Sequence, residues 1–202
     1  MVEHLHRTSF YAPRSPRKEM LPAIKASLRE DINYALPQNY MDGAGDTYFS
    51  GKMLAKLGRI LIVADEVGGV DRRAFQKALK RLQDGVTVWF DTTAGSPFLY
   101  DRAWGGMVMC GCDYKYENGK GFCANSYPNC PALSDAGQNF GAGFYNDHHY
   151  HFGYHIYAAA VAAKFDKKWA RKYHQHILLL VRDIVNPSDD DEFFPTWRHK
   201  DW

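Results

Sequence analysis

At 202 residues the chain is long enough for one hydrophobic core, and its 25 Lys and Arg nearly balance 23 Asp and Glu. That balance gives no electrostatic ground for a nucleic-acid or anionic-membrane partner. Aromatic residues make up 15% of the composition, an excess suited to a cleft that binds carbohydrate. The opening Met1-Val2-Glu3-His4-Leu5-His6-Arg7 lacks the apolar core of a secretory signal, and no run approaches a membrane span. The visible chain therefore reads as cytosolic, although an internal portion of a secreted protein would read the same way.

Residues 1–16, with Pro13, Pro16 and scattered basic side chains, are expected to form an irregular lead-in. A helix is predicted from Arg17 to Ala35 on the stripe Leu21, Ile24, Leu28, Ile32. Pro22 is tolerable only in its first turn, and Leu36-Pro37 ends it. The turn residues Asp42-Gly43-Ala44-Gly45-Asp46 follow, and Asp46 or Thr47 can cap a second helix. This helix runs to about Val67, with Leu54, Leu57, Ile60, Leu61 and Ala64 on one face, and Gly68-Gly69 stops it. Asp71 opens a third helix through Phe75, Leu79 and Leu82 toward Trp89-Phe90. Helices of this length joined by short polar turns suit stacked helical hairpins.

From Asp91 to Gly143 the pattern changes to a glycine-rich stretch holding all four cysteines, with apolar pieces at Phe98 to Tyr100 and Met107 to Cys110. We expect a long elaborated loop with one or two short strands. The Cys110-x-Cys112 spacing does not match the paired ligands of common zinc sites, which leaves a staple of one or two disulfides, or free buried thiols. A last helix is predicted over Lys168 to Val185, closed by Asn186-Pro187, and Asp189-Asp190-Asp191-Glu192 reads as a solvated loop without the alternate spacing of a calcium loop.

Ahead of that helix lies the most unusual stretch, Phe144 to Tyr157, with four histidines, four tyrosines, two phenylalanines and one carboxylate, running into an alanine-rich helical segment. At helical spacing Asp147, His151 and His155 share one face, as do Tyr150, Tyr154 and Tyr157. Such a face could form a sugar-binding wall, rings covering C–H surface while imidazole, phenol and carboxylate take hydroxyls. Asn146-Asp147 is also what an ordinary N-cap looks like. His148, His149, His151 and His155 invite a metal reading, but the His-Glu-x2-His pattern of zinc peptidases is absent. Gly153 is read as a point where a neighbouring helix or a ligand approaches closely.

The run FYNDHHYHFGYHIYAAAV resembles the signature of glycoside hydrolase family 81, the endo-β-1,3-glucanases. The resemblance extends to Asp46-Thr47-Tyr48-Phe49-Ser50-Gly51-Lys52, to Tyr100-Asp101-Arg102-Ala103-Trp104-Gly105-Gly106, to Arg182-Asp183-Ile184-Val185-Asn186-Pro187, and to Arg198-His199-Lys200-Asp201-Trp202. It implies a mainly α chain, residues 17–202 forming the first part of an (α/α)6 barrel. It further implies an inverting endo-1,3-β-D-glucanase acting on laminarin-like or cell-wall β-1,3-glucan, at the cell wall or outside the cell, without metal or other cofactor. Asp147 then corresponds to the general acid. His148, His151, His155, Tyr150, Tyr100, Asp101, Trp104, Arg198 and Asp201 become candidates for binding substrate, with His148, His151 or Tyr150 alternatively orienting Asp147 and the remaining histidines packing between helices. A general acid must keep its proton, whereas a helix N-terminus favours a charged carboxylate, so burial among Tyr145, Tyr150 and other rings is expected to offset the helix dipole. The family's second carboxylate lies in a Glu-rich motif that these 202 residues lack, which leaves half a site and suggests a truncated chain. The alternatives are a non-catalytic β-glucan-binding module and a metal-dependent hydrolase.

Overall fold

A computed structural model of the chain describes residues 15–37 and 45–196; Arg198 and Asp201, and most of the expected lead-in, lie outside the described residues. The fold is mainly helical with small strands. A 3-10 turn at Lys18–Met20 leads into α1 (Leu21–Asp31), followed by α2 (Thr47–Val67) and α3 (Arg72–Phe90). Four short strands come next: β1 (Phe98–Asp101), β2 (Gly106–Met109), β3 (Tyr114–Glu117) and β4 (Lys120–Cys123). Helices α4 (His148–Phe165) and α5 (Lys167–Val185) complete the described part.

The expected caps are in place. Asp46 accepts the Phe49 N–H at 2.7 Å and Asp71 that of Ala74 at 2.9 Å. Asp166 separates α4 from α5 by accepting from Lys168 and Trp169, while the Gln83 amide of α3 donates to its other oxygen. Helix α1 stops four residues before the predicted end. There Asn33 turns back to donate to the Arg29 carbonyl at 3.1 Å, a local bond that competes with further helix.

Between α3 and α4 the strands form two antiparallel hairpins, β1–β2 and β3–β4, where one or two strands were expected. The second hairpin turns at Asn118-Gly119, both residues at positive φ, the strongest short hairpin signal in a sequence. All four cysteines are bonded, Cys110 to Cys130 and Cys112 to Cys123, which removes the free-thiol reading.

Helix α4 is the centre of the packing, in contact with α2, α3 and α5. Its Phe152, Ala158, Ala159 and Ala162 are buried against Leu54, Leu57 and Leu61 of α2 and Leu82, Val86 and Trp89 of α3. The point of closest helix approach is Gly51 rather than Gly153. A Cβ on Gly51 would lie 2.8 Å from the His155 ring and 2.9 Å from the Tyr154 Cβ, whereas nothing lies within 4 Å of one added at Gly153.

Alanine at the two glycines should therefore act in opposite directions. Gly153→Ala gains about 1 kcal/mol of helix propensity, whereas in Gly51→Ala an overpacking penalty of about 1–3 kcal/mol outweighs the same gain. Urea midpoints of the two variants check both signs.

Candidate active site

Helix α4 begins in an unusual way. Of the six non-glycine residues at positive φ among those described, Asn139, Phe140, Tyr145 and Asp147 fall within the nine residues that precede it, interrupted by Gly141 at φ 77°. Left-handed backbone at a residue with a side chain costs on the order of 1–3 kcal/mol and persists only where surroundings enforce it. The enforcement is visible. Asn139 accepts the Thr47 N–H at 2.9 Å, Asn146 donates to the Phe140 carbonyl at 2.8 Å, and His148 Nε2 lies 2.7 Å from the Ala142 carbonyl. Gly143 packs so closely on the Ala132 carbonyl that a side chain there would collide with it.

Asp147 occupies the N-cap position of α4 with φ 55° and ψ 20°, and its side chain makes no cap hydrogen bond. Its main-chain carbonyl still starts the helix, accepting from Tyr150 and His151. An ordinary N-cap has extended backbone and a carboxylate spent on the first turn, as Asp46 and Asp71 show. Asp147 departs from both conditions. Its half-buried carboxylate is left to serve something other than the helix.

Chain neighbours of Asp147 belong to two aromatic groups. In the first, Tyr145 donates to Asp101 Oδ2 at 3.0 Å, Trp104 stands with its ring 6.4 Å from Tyr145, and the Tyr145 ring stacks on His148 at 5.0 Å. Trp104 is 72% exposed, a high value for the largest apolar side chain. In the second, the rings of Phe140, Tyr150 and Tyr154 gather around Tyr48 at 5.4, 6.5 and 5.5 Å. Burial raises the Tyr154 phenol above its ordinary range, helped by its hydrogen bond to Tyr48. Desolvation likewise raises the Asp46 carboxyl, against the backbone N–H groups that it caps.

The expected faces of α4 are sorted differently from the sequence reading. Tyr150 and Tyr157 look outward, but His148, His151 and His155 have no exposed surface at all, so the structure does not present these three candidates to solvent. His148 bridges Asp183 Oδ2, at 2.6 Å, and the Ala142 carbonyl. His151 shares a 2.6 Å hydrogen bond with the Thr47 hydroxyl, and His155 donates through Nδ1 to the His151 carbonyl. Nε2 of both His151 and His155 lacks a partner. Burial, with its like-charged neighbours His155 and His148, pushes His151 down to about 3, and burial pushes His155 down to about 4. Both rings are neutral in the folded protein at ordinary pH.

Tyr100 and Asp101, neighbours on β1, are separated by the strand's alternation. Asp101 joins Tyr145, whereas Tyr100 donates to the Phe193 carbonyl and lines an apolar cleft of about 660 Å³ with Trp89, Phe98, Leu180 and Phe194. Among the described residues, no cluster of three or more His, Cys, Asp or Glu side chains is arranged to hold a metal ion. The acidic run after Pro187 is more than a solvated loop, because Asp191 pairs with Arg182 through two bonds of 2.7 and 2.6 Å. That pairing pulls its carboxyl down to about 2.

Sequence reasoning did not name Thr47, Tyr48, Asn139, Phe140 or Asp183 as site residues, although Asp183 lies in the Arg182 to Pro187 stretch of the resemblance. Asp183 did leave a signal, as a lone carboxylate three residues beyond Leu180 on the apolar stripe of α5, buried to 2% exposure. Thr47 and Tyr48 lie in the Asp46 to Lys52 stretch already distinguished by its resemblance.

Residues 15–202 match the glycosyl hydrolase family 81 C-terminal domain. The chain is 35% identical over 173 residues to a glucan endo-1,3-beta-D-glucosidase of Glycine max, covering 82% of this chain and 23% of that protein. A protein of the same description from Arthroderma benhamiae is 36% identical over 184 residues, 89% of this chain and 18% of the relative. The primary septum glucan endo-1,3-beta-D-glucosidase of Schizosaccharomyces pombe is 31% identical over 153 residues, 75% and 13% respectively. The chain thus spans less than a quarter of the length of each of these relatives.

The two depressed imidazoles predict how stability varies with pH. Unfolded histidines take up protons near pH 6.5 while His151 and His155 stay neutral in the fold, so the unfolded state binds more protons below that pH. Their contribution is fully present above pH 6.5 and is lost as pH falls toward 4, each at about 1.4 kcal/mol per pH unit. Urea unfolding at pH 7.5, 6 and 5 should give falling midpoints; a constant midpoint contradicts the assignment.

Proposed function

The chain belongs to glycosyl hydrolase family 81, and on that premise we propose that it takes part in the endo-hydrolysis of β-1,3-glucan, with Asp147 as the general acid. In this reading residues 17–202 are the first part of an (α/α)6 barrel. The observation that carries the proposal is the Asp147 carboxylate, held in left-handed backbone at the head of α4 and not spent on capping it. Asp147 protonates the leaving glycosidic oxygen as the bond to the anomeric carbon breaks. Water attacks from the opposite face and gives its proton to a second carboxylate, so the anomeric configuration inverts. The resemblance assigns the base to a Glu-Ser-x-Ser-Glu-Ala-like stretch, which does not occur in the 202 residues; in this reading the base stands roughly 6.5–9.5 Å from Asp147.

Trp104 and Tyr150 offer ring faces to the C–H surfaces of glucose units, and Asp101, tied to Tyr145, offers an acceptor for their hydroxyls. Arg198 and Asp201 remain proposed substrate contacts on the resemblance alone. His148, His151 and His155 support the site from below. No cofactor is required, because proton transfers between carboxylates, sugar and water complete the reaction. The two disulfides favour an oxidising compartment, in keeping with action at the cell wall or outside the cell.

A second reading, a β-glucan-binding module without catalysis, is favoured by one observation, the missing base motif. The two separate experimentally. In the polypeptide that supplies the base, Asp147→Asn should lower laminarin turnover by about 10²–10⁴-fold while laminarihexaose still binds, and the first product of the unaltered protein should be the α-anomer by proton NMR. Turnover retained by Asp147→Asn would overturn the assignment. Oligosaccharide binding without any product would favour the binding module.

A further inference from the structure

Asp183 is the only carboxylate in the buried set among the described residues, and its side chain and that of His148 have no exposed surface. A buried ion pair is weak support for stability, since well-packed apolar side chains of similar volume commonly serve as well or better. Its presence here calls for another reason, and the connections supply one. Asp183 Oδ1 accepts the Met107 N–H of β2 at 2.9 Å, and Oδ2 lies 2.6 Å from His148 Nδ1. His148 Nε2 in turn reaches the Ala142 carbonyl at 2.7 Å. With Asp183 ionised both ring nitrogens face acceptors, an arrangement that an imidazolium satisfies by donating from both. The ring also carries Tyr145 stacked on it, whose hydroxyl holds Asp101.

Asp147 lies between the two things this ring joins. It is the residue immediately before His148, and it ends the left-handed turn that Ala142 and Tyr145 belong to. A single imidazole ring, fixed by α5 and β2 through Asp183, thus grips the turn on one side of Asp147 and the helix on the other. We propose that Asp183 and His148 form a positioning pair for Asp147, a carboxylate–imidazolium unit that sets both the direction of its carboxylate and the field in which it titrates. The proposal rests on the reading of Asp147 as the general acid. Asp183 and His148 act through the backbone and touch no substrate.

The test uses NMR on the 202-residue chain and needs no turnover. In the unaltered protein at pH 7, the His148 ring should show two slowly exchanging N–H protons; a ring with only one overturns the proposal. Asp183→Asn keeps the shape and the Met107 bond but turns an N–H toward His148, so one ring proton should vanish. The carbon-13 titration of the Asp147 carboxyl should then shift its midpoint by at least half a pH unit, with the exposed Asp65 and Asp84 unmoved. A folded Asp183→Asn chain whose Asp147 curve superimposes on the original overturns the proposal. Should that variant fail to fold, His148→Gln, which removes the positive charge at the same place, is read by the same titration. The reading of Asp147 as acid fails separately, by retained turnover in Asp147→Asn.

Discussion

The constraint on which most of this structure depends is that α4 carries three histidines into a helix core. An imidazole buried without partners costs roughly 1–3 kcal/mol per unsatisfied group, so the surrounding elements are arranged to meet the rings. Thr47 at the start of α2 meets His151, Asp183 on the apolar side of α5 meets His148, and the backbone of α4 itself meets His155. Gly51 is bare so that α2 can lie against the His155 ring, and Trp89 and Phe98 close around that ring edge to face at 5.0 and 5.3 Å. The satisfaction is incomplete, since Nε2 of His151 and of His155 remains without a partner. Stability alone would have favoured aliphatic residues at these positions.

What the histidines secure is the approach to α4. A run of left-handed residues is a costly way to begin a helix, and four of them without glycine's freedom occur here in nine positions. Bonds from Thr47 and Asn146 and the His148 bridge hold that run from three directions. The outcome is local and chemical: a carboxylate at a helix N-terminus that does not cap it. The same position therefore reads as a cap in sequence and, in space, as a carboxylate not spent on the helix.

Much of the frame was legible in the sequence because its signals are local. Asp46, Asp71 and Gly68-Gly69 mark helix ends by their own chemistry, and the apolar stripes of α2, α3 and α5 follow the helical period. The second hairpin was announced by Asn118-Gly119 but passed over inside a stretch read as loop. The direction in which the histidines face was not legible. Helix α4 is apolar or aromatic on every side, and a periodic rule can assign an inner face only when another face is polar. Asp147 with His151 looked like one wall, yet the structure turns the imidazoles inward and leaves the tyrosines outside. Asp183 was hidden for the opposite reason, since its partner lies 35 residues away and only the folded chain brings the two together.

The two disulfides are nested, the Cys112–Cys123 ring lying inside the one closed by Cys110 and Cys130. The outer ring ends beside Ala132, whose N–H bonds to the Cys110 carbonyl and whose own carbonyl packs under Gly143. The floor beneath the turn that bears Asp147 is thus tied to a closed covalent circuit rather than to an open strand. A cut in the exposed hairpin tip at Asn118-Gly119 would leave both new ends attached through sulfur, and Ala132 with its partners would keep their places. Among the described residues, the exposed β3–β4 hairpin is thus one that proteolysis could break without opening the ground beneath Asp147.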